Sequence, residues 1–313
     1  TQGDFMLRIF AICWLCLTAF SAIAQERPVL QTDEAVAAWR EDLITLAEQM
    51  EARHPNLYWR FTPEQFAAEF ALLDADLPYL TDLQIQLGII HLGALIDGHS
   101  GVPPFQGTLG YHLFPLQLYV FPEGMYVVYA DAPYADFIGS RVISIGGHAT
   151  ADVIERLKPY VNYDNAQSHL IGVPMFAIIP EVLYGLDIIA QIDQPDYVLE
   201  TSSGEQVTLN PPAQSLSEYE EWHEGRFLVA FGDRPEPLYM QHANEYFWHT
   251  YLEDSGTLYV QFNAAVQRAR SGTTINAFAN ELEAFLDETT PERVVFDVRL
   301  NLGGEIKIYR PLL

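Results

Sequence analysis

The repeat of apolar residues changes period partway along the chain, and that change limits the fold more than any other feature. Between about residues 32 and 96 apolar residues recur every three or four positions; from about residue 104 they alternate. The first period suits one face of a helix and the second one face of a strand. A helical N-terminal part followed by a β-rich part is therefore expected, within a mixed α/β chain. In "TDEAVAAWREDLITLAEQMEARHP", Thr32 or Asp33 is the candidate cap, and Val36, Trp39, Leu43, Leu46 and Met50 fall on one face before Pro55 ends the run. Thr62 and Pro63 repeat the start signal for a second helix, and "TDLQIQLGIIHLGALID" is apolar enough to be a buried third. Three closely linked helices predict a small bundle over residues 27–103.

The strands that follow are expected to form a β-rich domain over 104–212. "YHLFPLQLYVFPEGMYVVYA" alternates on both sides of Pro122–Gly124, which signals a hairpin, and "DYVLETSSGEQVTLNPP" predicts a second one turning at Ser203–Gly204. Between them, "SRVISIGGHA" reads as a strand ending in a double-glycine turn and "TADVIERLKPYV" as a helix. The Pro-, Gly- and charge-rich stretch Ala213–Pro237 marks a boundary, with a third part over 213–313. There, "YFWHTY" and "GTLYVQFNAA" are strands. A helix carries Ile275, Phe278, Leu282 and Phe285 on one face, and "RVVFDVRL" is the last strand. Strand, helix and strand in this order predict a right-handed crossover.

With 42 acidic against 16 basic residues, the net charge is −26. Such a chain repels phosphate backbones and anionic membrane surfaces, so a nucleic-acid partner is not expected. From Met6, a basic start at Arg8 precedes an apolar run from Ile9 to Phe20 and a small-x-small site at Ala22–Ala24. Residues 1–24 therefore read as upstream residues and a signal peptide, which implies export to the periplasm or the extracellular space. The alternative is an uncleaved anchor, but the apolar run is short for a membrane span. Both cysteines, Cys13 and Cys16, lie inside this segment. The mature chain would then have no disulfide, thiol nucleophile or cysteine metal ligand.

The sequence contains no Gly-x-Ser-x-Gly elbow, phosphate-binding loop, dinucleotide fingerprint or His-Glu-x-x-His helix, and its nine histidines lack metal-ligand spacing. No metal and no cofactor is expected. Two stretches remain. In "FDVRLNLGG", Val294, Val295, Phe296 and Val298 suggest a buried strand interrupted by Asp297. A buried carboxylate needs a partner, and Arg299 is two residues away on the same face. Gly303 and Gly304 lack Cβ atoms, so their amides can approach a ligand and stabilise an oxyanion; a plain strand-end turn is the alternative. In "ALIDGHSGVPP", Asp97, His99 and Ser100 crowd a turn between Gly98 and Gly101. His99 is a candidate general base, or else a helix C-terminal residue favoured by the helix dipole. "SEYEEWHEGR", with His223, reads as a solvated face, and "EYFWHTY" as core strand.

In this order, the Asp97–Ser100 motif, "GSRVISIGGHATADVIERLKPYV", "GTLYVQFNAA" and "RVVFDVRLNLGG" resemble the tail-specific (C-terminal-processing) serine peptidases, especially their tricorn-like and retinoid-binding-protein-like branch. The last motif is similar to the family's Asp-Leu-Arg-x-Asn-x-Gly-Gly. The resemblance implies an N-terminal helical bundle, a PDZ-like β-rich domain and the start of a crotonase-like α/β catalytic core. It further implies a peptide or protein substrate cleaved by a serine. His99 then matches the assisting histidine and Gly303, with Gly304, the oxyanion donors, while Asp97, Asp297, Arg299 and Asn301 are structural. Gly98 departs from the pattern, standing where tricorn-type enzymes carry a serine. The family's nucleophilic serine follows the glycine turn at a later strand–helix junction, so the nucleophile is absent from residues 1–313. The expectation is a fragment that cannot form an acyl-enzyme. A non-catalytic peptide- or ligand-binding protein of the same fold is the alternative, and a carrier of lipophilic ligands a third reading.

Overall fold

The computed structural model describes residues 28–96, 98–102, 104, 109–223, 235, 237–242, 245–301, 303–305, 307–308 and 310–312. They belong to two compact units. One comprises residues up to Val102 together with Asn162–Asp164, the other Pro103–Val161 and the chain from Asn165 onward. The expected signal segment, Asp97 and residues 224–234 and 236 of the boundary stretch lie outside the described residues.

The first unit holds helices α1 (Asp33–Arg53), α2 (Pro63–Asp76) and α3 (Asp82–Ile96). Each start follows from local chemistry. The Thr32 hydroxyl accepts the Ala35 N–H at 3.2 Å, giving an otherwise unpaired first-turn donor an acceptor. Thr62 and Gln65 form a reciprocal capping box, with Pro63 in the first turn where its missing N–H costs nothing. Replacing Thr62 with alanine is expected to cost about 1 kcal/mol of stability, read as a lower urea midpoint with unchanged slope. Val36 and Leu43 of α1 pack with Leu77 and with Ile85 and Leu92 of α3. Leu57, Phe66 and Ile96 form a second apolar cluster joined by Met50, Phe61 and Phe70. No helix among the described residues is long and apolar enough to cross a membrane.

The second unit carries two sheets. The larger contains β1 (Leu116–Phe121), β2 (Gly124–Ala130), β3 (Arg141–Ile145), β5 (Tyr197–Glu200) and β6 (Gln206–Leu209) in that spatial order. A short β4 (His148–Ala149) also pairs with β3. Pro122 and Glu123 close the β1–β2 hairpin, where Phe121 faces Gly124. The β5–β6 hairpin spans the predicted Ser203–Gly204 turn, with Glu200 opposite Gln206. Gly146 turns β3 into β4 at φ +57°, and a Cβ there would lie 2.0 Å from the Ile188 carbonyl oxygen, so only glycine fits. Helix α4 (Thr150–Leu157) follows, then α5 (Ser168–Phe176) and α6 (Pro180–Gly185), two helices not anticipated from the pattern. Pro174 lies inside α5, which breaks the usual reading of proline as a helix stop.

Within the soft stretch, α7 (Leu216–His223) turns its acids outward while Tyr219 is buried. The Tyr219 hydroxyl donates to the Leu116 carbonyl at 3.2 Å, and Trp222 stacks on Tyr129 at 5.6 Å. The segment is thus solvated on one side only, and burial pushes the His223 pKa down.

The smaller sheet has the order β7 (Phe247–Leu252), β8 (Thr257–Phe262), β9 (Arg293–Asp297). β7 and β8 are antiparallel, while β8 and β9 are parallel and joined through α8 (Ile275–Thr289), the predicted crossover element. Strand β8 is buried at every position. Phe247, Leu258, Val260 and Phe262 of the sheet pack with Ile275, Phe278 and Leu282 of α8. Contrary to the buried strand expected from its apolar residues, the tail strand is open to solvent: Val294, Val295 and Phe296 are 42%, 41% and 50% exposed. Among the described residues β9 pairs with β8 alone, so it is an apolar edge strand.

Candidate functional site

The site is built where β9 ends. Asp297, the last residue of that strand, is 7% exposed despite its charge. A carboxylate leaving water there requires several donors. The Arg299 backbone N–H donates to its Oδ1 at 3.0 Å, and Arg299 Nε reaches Oδ1 and Oδ2 at 3.0 and 2.9 Å. Arg299 Nη2 adds a further hydrogen bond to Oδ2, and the Tyr259 hydroxyl donates to the same oxygen at 2.8 Å. The Arg299 side chain beside Asp297 holds the carboxyl down to about 2, against the raising effect of its burial. Tyr259 moves the other way: burial first, then the Asp297 carboxylate, push its phenol well up. The Arg299 guanidinium also lies 3.8 Å from the centre of the Tyr239 ring.

Strand β8 supplies the rest of this face. Tyr259, Gln261 and Asn263 alternate along it or just beyond it. Tyr259 Oη lies 3.1 Å from Gln261 Oε1, and Gln261 Nε2 donates to the Tyr239 carbonyl at 2.7 Å and to Asn263 Oδ1 at 3.0 Å. Asn263 Nδ2 donates to the Glu245 carbonyl at 2.8 Å. These residues were not singled out from the sequence. The available signal was three polar groups at spacing two in an otherwise apolar strand, the mark of a buried polar face.

The glycine turn is held by a separate set of hydrogen bonds at the end of the same strand. Asn301 Nδ2 donates to the Phe262 carbonyl at 2.8 Å, and its Oδ1 accepts the Gly303 N–H at 2.7 Å. Ala265 N–H donates to the Gly303 carbonyl at 2.8 Å, and Glu305 N–H donates to the Ala265 carbonyl at 3.0 Å. Gly303 and Gly304 have φ values of +96° and +128°. A Cβ at Gly304 would lie 2.3 Å from the Ala265 carbonyl oxygen, whereas one at Gly303 would meet nothing within 4 Å. The Gly303 amide is therefore engaged by Asn301, and Gly304 is the glycine whose lack of a side chain the packing demands.

Asp297, Arg299, Asn301, Gly303 and Gly304 thus come together in one hydrogen-bonded turn. His99 belongs to the first unit, on an exposed turn. That turn is shaped by Asn162–Asp164: Asp164 Oδ1 accepts the Gly98 N–H at 3.0 Å, and a Cβ at Gly101 would lie 1.7 Å from Asn162 Oδ1. Neither Asn162 nor Asp164 was legible as part of this motif, because they arrive from some sixty residues away in sequence. Among the described residues no group of three or more His, Cys, Asp or Glu could hold a metal ion.

No protein-family model matches the chain, and no curated protein matches its sequence. Among solved structures, the chain is similar to the crystal structure of a serine-to-alanine mutant of CPAF, a chlamydial tail-specific-protease-like serine protease. The TM-score is 0.61 at 13% identity, and the match covers 88% of this chain and 58% of the CPAF chain. The chain therefore spans well under two thirds of the protein it matches. At that identity the likeness defines the fold: a mixed α/β fold of the kind found in a serine protease, with helices at the N-terminus.

Proposed function

We propose that the protein is an exported serine-type peptidase of the tail-specific kind, and that the turn at Gly303–Gly304 receives the oxygen of the peptide carbonyl under attack. The observation that carries this reading is Gly304 itself. It sits at φ +128° against the Ala265 carbonyl, just past the C-terminal end of a parallel strand. The outer ends of parallel strands are where open α/β sheets bind ligands, and a bare amide there suits a developing negative charge.

In this mechanism a serine hydroxyl from outside residues 1–313 attacks the carbonyl carbon, and the displaced electron pair moves onto the carbonyl oxygen. The Gly304 amide donates to that oxyanion, joined by the Gly303 amide when Asn301 Oδ1 releases it. His99 takes the hydroxyl proton as general base and returns it to the leaving amine. The Asp297–Arg299 pair stiffens the hinge that aims the turn. The β-rich part over 104–212 acts as a PDZ-like holder of the substrate's chain end, and residues 213–313 begin a crotonase-like core. The signal-like N-terminus accounts for export, and no cofactor takes part.

A second reading, binding of a peptide without cleavage, is favoured by one observation. Among the described residues, the side chains hydrogen-bonded around the turn are those of Tyr259, Gln261, Asn263, Asp297, Arg299 and Asn301, none of them a Ser, Thr or Cys nucleophile. The two readings separate in an assay of the whole protein with peptides that end in a free carboxylate. Peptidase action predicts product formation, with His99→Ala lowering kcat about a hundredfold or more and leaving KM nearly unchanged. An unchanged kcat would remove His99 from the mechanism. Calorimetric binding with no product over many hours would instead select the second reading.

A further inference from the structure

We propose that the helical unit contains a binding site for a small monocarboxylate with an apolar body, centred on Arg60. The cavity has a volume of about 280 Å³ and is lined by Arg60, Phe61, Phe66, Ala68, Glu69 and Leu95, with Gln65 beside them. That size is at the lower end for small-molecule sites, which begin near about 300 Å³. All of its residues belong to the first unit, and none takes part in the hydrogen-bonded turn at Gly304. None of these residues has a role in the proposed peptidase chemistry, although His99 belongs to the same unit.

Arg60 is the reason to expect an anion. Its guanidinium carbon lies 4.4 Å from the centres of both the Trp59 and the Tyr163 rings. Ring faces attract the positive charge but accept no N–H edge in the plane of the group. Nη1 is buried and finds no acceptor among the described residues, although the chain has 42 acidic side chains to offer one. A buried charged donor left unpaired is costly, and a ligand carboxylate removes that cost. Nη1 has almost no accessible surface, so a ligand carboxylate in the cavity reaches it once the guanidinium turns toward the opening.

The other walls set the remaining chemistry. Phe61 and Phe66 stack with parallel rings 5.4 Å apart, and Leu95 and Ala68 add further apolar surface, which suits an aliphatic or aromatic body. Glu69 forbids a second negative charge on the ligand. Its carboxylate is 42% exposed and 4.0 Å from His91 Nε2, so it is only partly offset. Phosphate esters and dicarboxylates should accordingly be excluded. Gln65 is committed to the helix start, its Oε1 accepting the Thr62 N–H at 2.8 Å.

The test is calorimetric titration of the whole chain with 3-phenylpropanoate, with 2-phenylethylamine, and with a tetrapeptide ending in phenylalanine as free acid or amide. Saturable binding of 3-phenylpropanoate and none of the amine is expected. Arg60→Gln should weaken the carboxylate about tenfold or more, the loss of one charged hydrogen bond. Leu95→Phe fills the cavity without altering charge and should abolish binding, which keeps the test decisive if the Arg60 variant fails to fold. No saturable binding of 3-phenylpropanoate by the folded protein overturns the proposal. So does equal binding by Arg60→Gln, and so does binding of the free-acid peptide alone, which would make the site a reader of peptide termini.

Discussion

Gly304→Ala is expected to open the glycine turn and to remove whatever chemistry the turn performs, while Gly303→Ala leaves much of it in place. The two glycines are adjacent and both adopt positive φ, yet their surroundings differ. A methyl at Gly304 would sit 2.3 Å from the Ala265 carbonyl oxygen, a backbone atom that cannot swing aside, whereas at Gly303 it would project into open space. Alanine at Gly303 therefore meets only the backbone cost of an L-residue at φ +96°, about 1 to 2 kcal/mol. At Gly304 the backbone cost and the collision add, for about 3 kcal/mol or more. The local readout is hydrogen exchange at two amides that tie the turn to its neighbour: Ala265, which donates to Gly303, and Glu305, which donates to Ala265. Protection at both should fall about a hundredfold in Gly304→Ala and far less in Gly303→Ala. In a peptide-cleaving preparation, kcat should drop by about a hundredfold or more as the donor shifts away from the oxyanion. Equal behaviour of the two variants would show that the Ala265 contact does not shape the turn.

The parts of the fold that could be read from sequence are those governed by short-range chemistry. The helix start at Thr62 and Pro63, the hairpin turn at Pro122–Gly124 and the switch from helical to alternating periods all depend on residues a few positions apart. The pairing of Asp297 also follows a local rule, since a carboxylate in an apolar strand needs a cation and Arg299 is within reach. What escaped depends on partners distant in sequence. Val294, Val295 and Phe296 look like an interior strand because interior and edge strands differ only in their neighbours. Helix α5 was hidden by Pro174, and the one-sided burial of α7 by acids that dominate its composition. Gln261 and Asn263 carried a usable signal, but its meaning appears only when the Tyr239 and Glu245 carbonyls, from the segment before β7, are brought to them.

Asp297→Asn is expected to lower stability by about 2 kcal/mol at neutral pH and by much less near pH 2, a dependence that isolates the ion pair from the polar network around it. The folded-state carboxyl sits at about 2 against an ordinary 3.8. A depressed acid pKa means that the folded state prefers the carboxylate. The stabilisation is therefore fully present above about pH 4 and is lost as pH falls through 2. At about 1.4 kcal/mol per pKa unit the shift corresponds to about 2 kcal/mol. The value should fall on the low side, because the Arg299 side chain is 60% exposed and water screens its charge. Asparagine keeps the shape and an acceptor for Arg299, so the hydrogen bonds from its Nε and backbone amide survive in weaker, neutral form. Tyr259 does not confuse the measurement, since its raised pKa keeps the phenol protonated throughout the acidic range. Urea unfolding of the protein and of Asp297→Asn at pH 7, 4 and 2 gives the difference directly, and the general acid sensitivity of a chain carrying −26 cancels between them. A gap that stays constant down to pH 2 would mean that Asp297 supports the turn by shape and hydrogen bonding alone. The hinge before Gly303 would then owe nothing to charge.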